Sequence, residues 1–316
     1  MDDLVMVDNC NTVSGLSRCD FSDLANKWFR YLDVAPRSVH TYSTNIKQFL
    51  VWLAQNNITR PTREDIIAYR DSLKTSHRPS TIQGYMAAIR LFFQFLESQG
   101  IYHDIAKHIK SPKLDHDHKR DYLTSGQSKE LLATCDRQIE SEQSLRDKAI
   151  LSVMLTTGLR TISIINADIG DIGTIGDCTV LYYLGKGHTE KSVFVKLTAP
   201  VERAIRQYLA VRDEVGKNDP LFASISNRDR GGRLTTKSIR RMVKTRLVNI
   251  GLNNRRVSAH SLRHTAATLN LLAGGTLEET QQMLDHSSIT TTQIYAHNID
   301  RIKNQSEQRV SDLVFG

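Results

Sequence analysis

Residues 259–268 read AHSLRHTAAT and set two histidines and an arginine, His260, Arg263 and His264, into an otherwise apolar helical pattern predicted over 259–273. His260 and His264 are four apart, so they share one helix face, the spacing of a zinc-protease motif. That motif needs a glutamate directly after the first histidine, whereas this chain has Ser261 and no evident third ligand, so no metal site is expected. The plain alternative is that these are core or surface residues satisfied by local partners. Three further segments speak against it: TTGLRTISII puts Arg160 just beyond an apolar helix, LDHSSITTTQIYAH holds His286 and Tyr295, and CTVLYYLGKGHTEKSVFVKL presents Lys186 between two glycines.

Around these segments the chain divides into unlike parts. From Phe21 to Gly100 the apolar residues recur at three and four: Val39, Tyr42, Ile46, Phe49, Leu50 and Leu53, then Ile82, Tyr85, Met86, Ile89, Phe92, Phe93 and Leu96. Pro36 and Pro79 open two helices, Thr62 and Asp65 form a capping box, and Gly100 stands where a C-terminal cap belongs. A tail over 1–20 therefore precedes a helical domain over 21–105. Residues 106–121, AKHIKSPKLDHDHKRD, lack a hydrophobic period and read as an exposed linker, in which His108, His116 and His118 have no regular ligand spacing. The second domain, 122–316, is predicted helical near 125–135, 144–158, 199–215, 235–250, 259–273, 276–285 and 299–312. Residues 178–197 interrupt it as a β-hairpin, rich in β-branched and aromatic residues, with Lys186 at its tip.

Composition bounds the function. The 316 residues suit two cores, and 40% hydrophobic with 24% charged residues is ordinary for a globular protein. The four cysteines, Cys10, Cys19, Cys135 and Cys178, show neither zinc spacing nor disulfide density. No apolar run reaches a membrane span and the acidic start is unlike a signal peptide, so a cytoplasmic protein is expected. The net charge of +8 is unevenly placed: residues 1–115 hold 14 Lys/Arg against 12 Asp/Glu, while 228–263 hold eleven against Asp229 alone. Such a block repels itself unless a polyanion screens it, which points to nucleic acid.

Taken together, TGLR with Arg160, GKG with Lys186, HSLRH with His260 and Arg263, LDH with His286, and QIYAH with Tyr295 nine residues later occur in the order and spacing of one family. The chain resembles the tyrosine recombinases, the phage-integrase and Xer-type family, from about Phe21 to Ser311. The resemblance implies a mainly α fold with a small β-hairpin or sheet, arranged as a two-domain DNA clamp: a helical, SAM-like core-binding domain, the linker and a catalytic domain. It implies double-stranded DNA as partner, a homotetramer on two recombination sites, possible accessory proteins and no cofactor. The segment IDRIKNQSEQRVSDLVFG after Tyr295 is expected to dock on a neighbouring protomer. One position departs from the pattern: Ser163 stands where the family usually has an acid three places after the first arginine, so the usual support of Arg160 is missing.

The implied chemistry suits these residue types. Cleaving a phosphodiester without a metal needs cations at the non-bridging oxygens, which the planar forks of Arg160 and Arg263 supply. A phenolic nucleophile, Tyr295, conserves the bond energy as an ester so that the strand can be rejoined. Lys186 is assigned the proton for the departing 5′ oxygen, His260 the proton of the tyrosine, and His286 a hydrogen bond to the phosphate, with His264 a structural neighbour. A type IB topoisomerase would use nearly the same residues, but the separate core-binding module and short chain favour recombination. A non-catalytic DNA-binding regulator would not need all six positions filled. Between mobile-element integration and Xer-like resolution, the short stretch before Phe21 favours a simple recombinase, while Ser163 and the charged linker lean toward a mobile element.

Overall fold

The structure is a computed structural model that describes residues 18–113, 121–137, 141–185, 188–212, 215–286, 288–289, 292–293, 295 and 304–316. It is mainly α-helical with one small antiparallel sheet, as the sequence predicts, and the chain separates into two units, residues 1–116 and 117–316.

The first unit is built on α1 (Arg18–Tyr31), α2 (Pro36–Gln55), α3 (Arg63–Ser72) and α4 (Pro79–Ser98). Prolines open α2 and α4, where the missing N–H costs nothing. The Thr62 side chain and Asp65 cap the start of α3 reciprocally, and Gly100 follows α4 at φ +64°. All seven apolar positions expected on α4 are buried, packed with Trp28, Ile46, Phe49 and Ile66. This core reaches further along the chain than polarity suggests. Ala106 and Ile109 lie in it, and the Ile109 carbonyl accepts from Arg90 at 2.8 Å, so the expected exposed linker does not begin at 106. Two apolar side chains among lysines and histidines leave no periodic signal, yet their burial, with hydrogen bonds from Arg63, Arg70 and Arg90, holds this segment on the helices.

The second unit is centred on α6 (Glu142–Thr157), which packs on α5 (Ser125–Asp136), α8 (Ala199–Leu209) and α10 (Ala259–Leu272). Its polar residues are buried as well: Asp147, 1% exposed, pairs with Arg146 at 3.0 Å and with Arg246 of α9 (Thr236–Asn249) at 2.9 Å. One cation of the basic block therefore sits inside the core. The sheet has three strands in the order β1 (Ile172–Ile175), β2 (Cys178–Tyr183), β3 (Val193–Lys196), with Leu181 opposite Ile172 on one side and Val195 on the other.

The expected hairpin is thus β2–β3; β1 escaped the sequence reading because a glycine and an exposed outer half hide its period. The short α7 (Thr161–Asn166) was also not expected. Helix α8 stops at Leu209 rather than 215, since Val211 and Val215 find no core and Arg212 turns back to the Pro220 carbonyl at 2.7 Å. The chain continues through α11 (Leu277–Leu284) to a last helix, α12 (Ser306–Phe315); the 299–303 part of the expected final helix lies outside the described residues. No helix among the described residues is long and apolar enough to cross a membrane.

Candidate active site

Two helix ends and one helix face converge in the second unit. Gly158 terminates α6 in the left-handed conformation at φ +65°, and Arg160, two residues on, is the N-cap of α7. A Cβ on Gly158 would fall 2.5 Å from Leu284 Cδ2 and 3.4 Å from Ala266 Cβ, so only glycine lets α6 end against α10 and α11. On α10, residues 261–268 are all buried while His260 is exposed, so the helix turns Arg263 and His264 inward and leaves His260 at the rim.

Arg263 is 4% exposed and spans the junction. Its Nη1 donates to the Gly158 carbonyl at 2.8 Å and its Nη2 to the Leu284 carbonyl at 2.5 Å, serving the last carbonyls of two helices. Burial, and then the positive charge of Arg160, bring its pKa down to about 10, so it keeps its charge at neutral pH. Arg160 is about one-third exposed, with Nη1 4.0 Å from Asp285 Oδ2. Ser163 is buried with its backbone N–H on the Arg160 carbonyl at 2.9 Å, and no acid stands there.

The rings gather on the other side. Tyr295 is 6% exposed, its ring parallel to that of His286 with centroids 6.5 Å apart and 5.2 Å from that of His264. His264 in turn meets His260 edge-on at 4.7 Å. His286 Nδ1 is 2.9 Å from Thr292 Oγ1, a contact that orients the imidazole. Burial first, then Arg263, Arg160 and His260, depress His286 to about pH 4, so it is neutral at physiological pH. The phenol of Tyr295 is pushed above the ordinary tyrosine value by burial, with Arg263 and Arg160 pulling the other way.

The fold thus brings Arg160, His260, Arg263, His286 and Tyr295 to one place, while Lys186 lies outside the described residues; the hairpin that carries it is described up to Gly185. Among the described residues no group of three His, Cys, Asp or Glu is arranged to hold a metal ion. Asp285, Tyr183 and Thr292 complete the surroundings, and residue type alone did not single them out. The one available signal was an acid directly before His286.

The pattern of the phage integrase family matches residues 121–301, and that of the phage integrase N-terminal SAM-like domain matches residues 25–100. The chain is 31% identical over 268 residues to the tyrosine recombinase XerC of Herpetosiphon aurantiacus, covering 82% of this chain and 84% of that protein. It is likewise 31% identical over 277 residues to XerC of Pelobacter propionicus, covering 85% and 88%. In fold it is similar to the XerH site-specific recombinase bound to a palindromic difH substrate, at TM-score 0.72 and 20% identity over 95% of this chain and 84% of that one. It is also similar to the Tn1549 transposon integrase with circular intermediate DNA, at TM-score 0.67 and 15% identity over 91% and 100%. The chain belongs to the phage integrase family of tyrosine recombinases, enzymes that cleave and rejoin DNA in site-specific recombination.

Proposed function

We propose that Tyr295 attacks the scissile phosphate and forms a 3′-phosphotyrosine, releasing a 5′ hydroxyl; that hydroxyl then attacks the phosphotyrosine of the partner duplex, breaking its tyrosyl ester and freeing the tyrosine, by way of a Holliday junction. The observation that carries this reading is the placement of Arg263, buried and charged, against the turn that bears Arg160 and within the field of the Tyr295 phenol. A phosphate between the two guanidiniums would replace their mutual repulsion with attraction, and the arginines would hold the charge that grows on its non-bridging oxygens. Neutral His286 donates a hydrogen bond to the phosphate; His260, at the rim, takes the phenolic proton. Lys186 protonates the leaving 5′ oxygen.

In this reading the first unit, its core running on through Ile109, forms the core-binding domain and residues 122–316 the catalytic domain, both on duplex DNA in the cytoplasm. The exposed cations of the 228–256 block contact phosphates, which makes affinity fall with salt. Four protomers assemble on two sites, helped by α12, whose Val310, Leu313, Val314 and Phe315 are 60–88% exposed and suit a groove on the next protomer. Integration or excision of a mobile element and Xer-like resolution share this chemistry; the DNA cleaved distinguishes them. The test is to trap covalent complexes on fragmented host DNA and sequence the attached ends. Adducts at one site flanked by inverted repeats support site-specific recombination, whereas adducts scattered without a shared sequence contradict it.

A further inference from the structure

Asp285 closes α11 at φ +50° and ψ +53°, a left-handed backbone that few residues other than glycine adopt and that aspartate tolerates better than most. Its N–H donates to the carbonyls of Gln281 and Gln282, which fixes the turn just before His286. The side chain, about a quarter exposed, brings Oδ2 to 4.0 Å from Nη1 of Arg160. A Cβ added to Gly185 would lie 3.3 Å from the same Oδ2, so this carboxylate also borders the hairpin one residue before Lys186. Its negative charge acts, after burial, to push the phenol of Tyr183 on β2 up to about 12.

Among the described residues no other carboxylate pairs with Arg160 or Arg263. The 4.0 Å separation is too long for a hydrogen bond, so the attraction is electrostatic and leaves the guanidinium N–H groups available to a phosphate. Two neighbouring guanidiniums otherwise repel each other, and among the described residues a one-third exposed arginine has no other opposite charge to hold it over the site. Asp285 therefore stands where three parts of the chain meet: the cap of α7, the His286 turn and the hairpin end.

We propose that Asp285 is a positioning residue whose carboxylate holds the Arg160 guanidinium and the Gly185 end of the hairpin in register with the His286 turn, in place of the acid that Ser163 does not provide. The inference rests on the reading of Arg160 as a phosphate ligand. It adds a function to a backbone conformation that the helix end alone would assign to glycine.

The test is a double-mutant cycle read by single-turnover formation of the covalent adduct at saturating DNA, on a nicked substrate carrying the mapped site. Wild type, Asp285→Asn, Arg160→Ala and the double variant are compared, with melting temperatures alongside. Asp285→Asn keeps the size and the tolerance of left-handed backbone, and should slow adduct formation about ten-fold without lowering the melting temperature, an effect in the range for contacting side chains. On the Arg160→Ala background it should cause no further slowing. Asp285→Gly, whose backbone prefers this conformation, should slow the reaction as much, which separates the carboxylate from the turn. An Asp285→Asn enzyme as fast as or faster than wild type, or a defect that multiplies fully with that of Arg160→Ala, overturns the inference. An unimpaired Arg160→Ala enzyme would instead overturn the reading on which it rests.

Discussion

Arg263 and Gly158 meet where α6 ends: the guanidinium donates to the glycine carbonyl at 2.8 Å, and the glycine holds φ +65° at a place where a Cβ would fall 2.5 Å from Leu284 Cδ2. The clustering of the candidate site residues and the packing of two helix ends against α10 are therefore one construction.

That construction separates the two arginines. Arg263→Ala leaves the carbonyls of Gly158 and Leu284 without their donor and should cost about 2–4 kcal/mol of stability, since each buried unsatisfied group costs about 1–3 kcal/mol. Arg160→Ala, partly exposed and in a loose pair, should change stability by less than about 1 kcal/mol. Both should slow cleavage by about 10²–10³-fold, leaving a rate that single-turnover assays still read. Urea denaturation of the two variants checks this, and equal stability losses would contradict the division.

A second contrast lies within the basic block. Arg246 is 3% exposed, pairs with buried Asp147 at 2.9 Å and donates to the Thr134 carbonyl at 2.9 Å. Its replacement by alanine should cost about 3–5 kcal/mol, the usual penalty for breaking a buried pair. Lys237→Ala and Arg240→Ala, on the exposed face of α9, should leave stability within about 0.5 kcal/mol. They should weaken DNA binding and flatten the dependence of log affinity on log salt by about one for each phosphate no longer neutralised. Salt titrations of binding decide it; an unchanged slope would remove these two from the interface.

The pH dependence of stability should carry a mark of His286. Its folded pKa near 4 lies below the ordinary 6.5, so the unfolded chain binds more protons between these values. Stability is thus fully present above about pH 6.5 and falls as the pH drops toward 4. His286→Gln cannot titrate and should flatten this stretch of the curve. Denaturation midpoints from about pH 7 to about pH 4.5 test it, and parallel curves for the two proteins would place His286 in an ordinary solvated setting.

How much of this was legible beforehand follows from where each signal resides. The stripe on α4, the Thr62–Asp65 box and Gly100 are local, and each took the expected form because neighbours in sequence decide it. Ala106 and Ile109 carry no such local signal, because their burial depends on α4 and on Arg90, 19 positions before Ile109. The basic block illustrates the same limit: Arg246 is buried against Asp147 and the exposed Arg233 pairs with Asp168 at 2.5 Å, so part of the block's charge is balanced within the chain. At the site the five described motif residues converge, but Asp285 became meaningful only when α11 brought it beside Arg160, 125 positions away in numbering (285 − 160).

A nicked suicide substrate tests directly whether Tyr295 is the nucleophile. Wild-type protein should become covalently joined to the 3′ end of the cleaved strand, in EDTA as well as without it, because arginine charge replaces a metal at the phosphate. Tyr295→Phe, which loses only the hydroxyl, should bind the same DNA equally well and yield no adduct on a denaturing gel. An adduct formed by Tyr295→Phe would contradict the account and move the nucleophile to another residue.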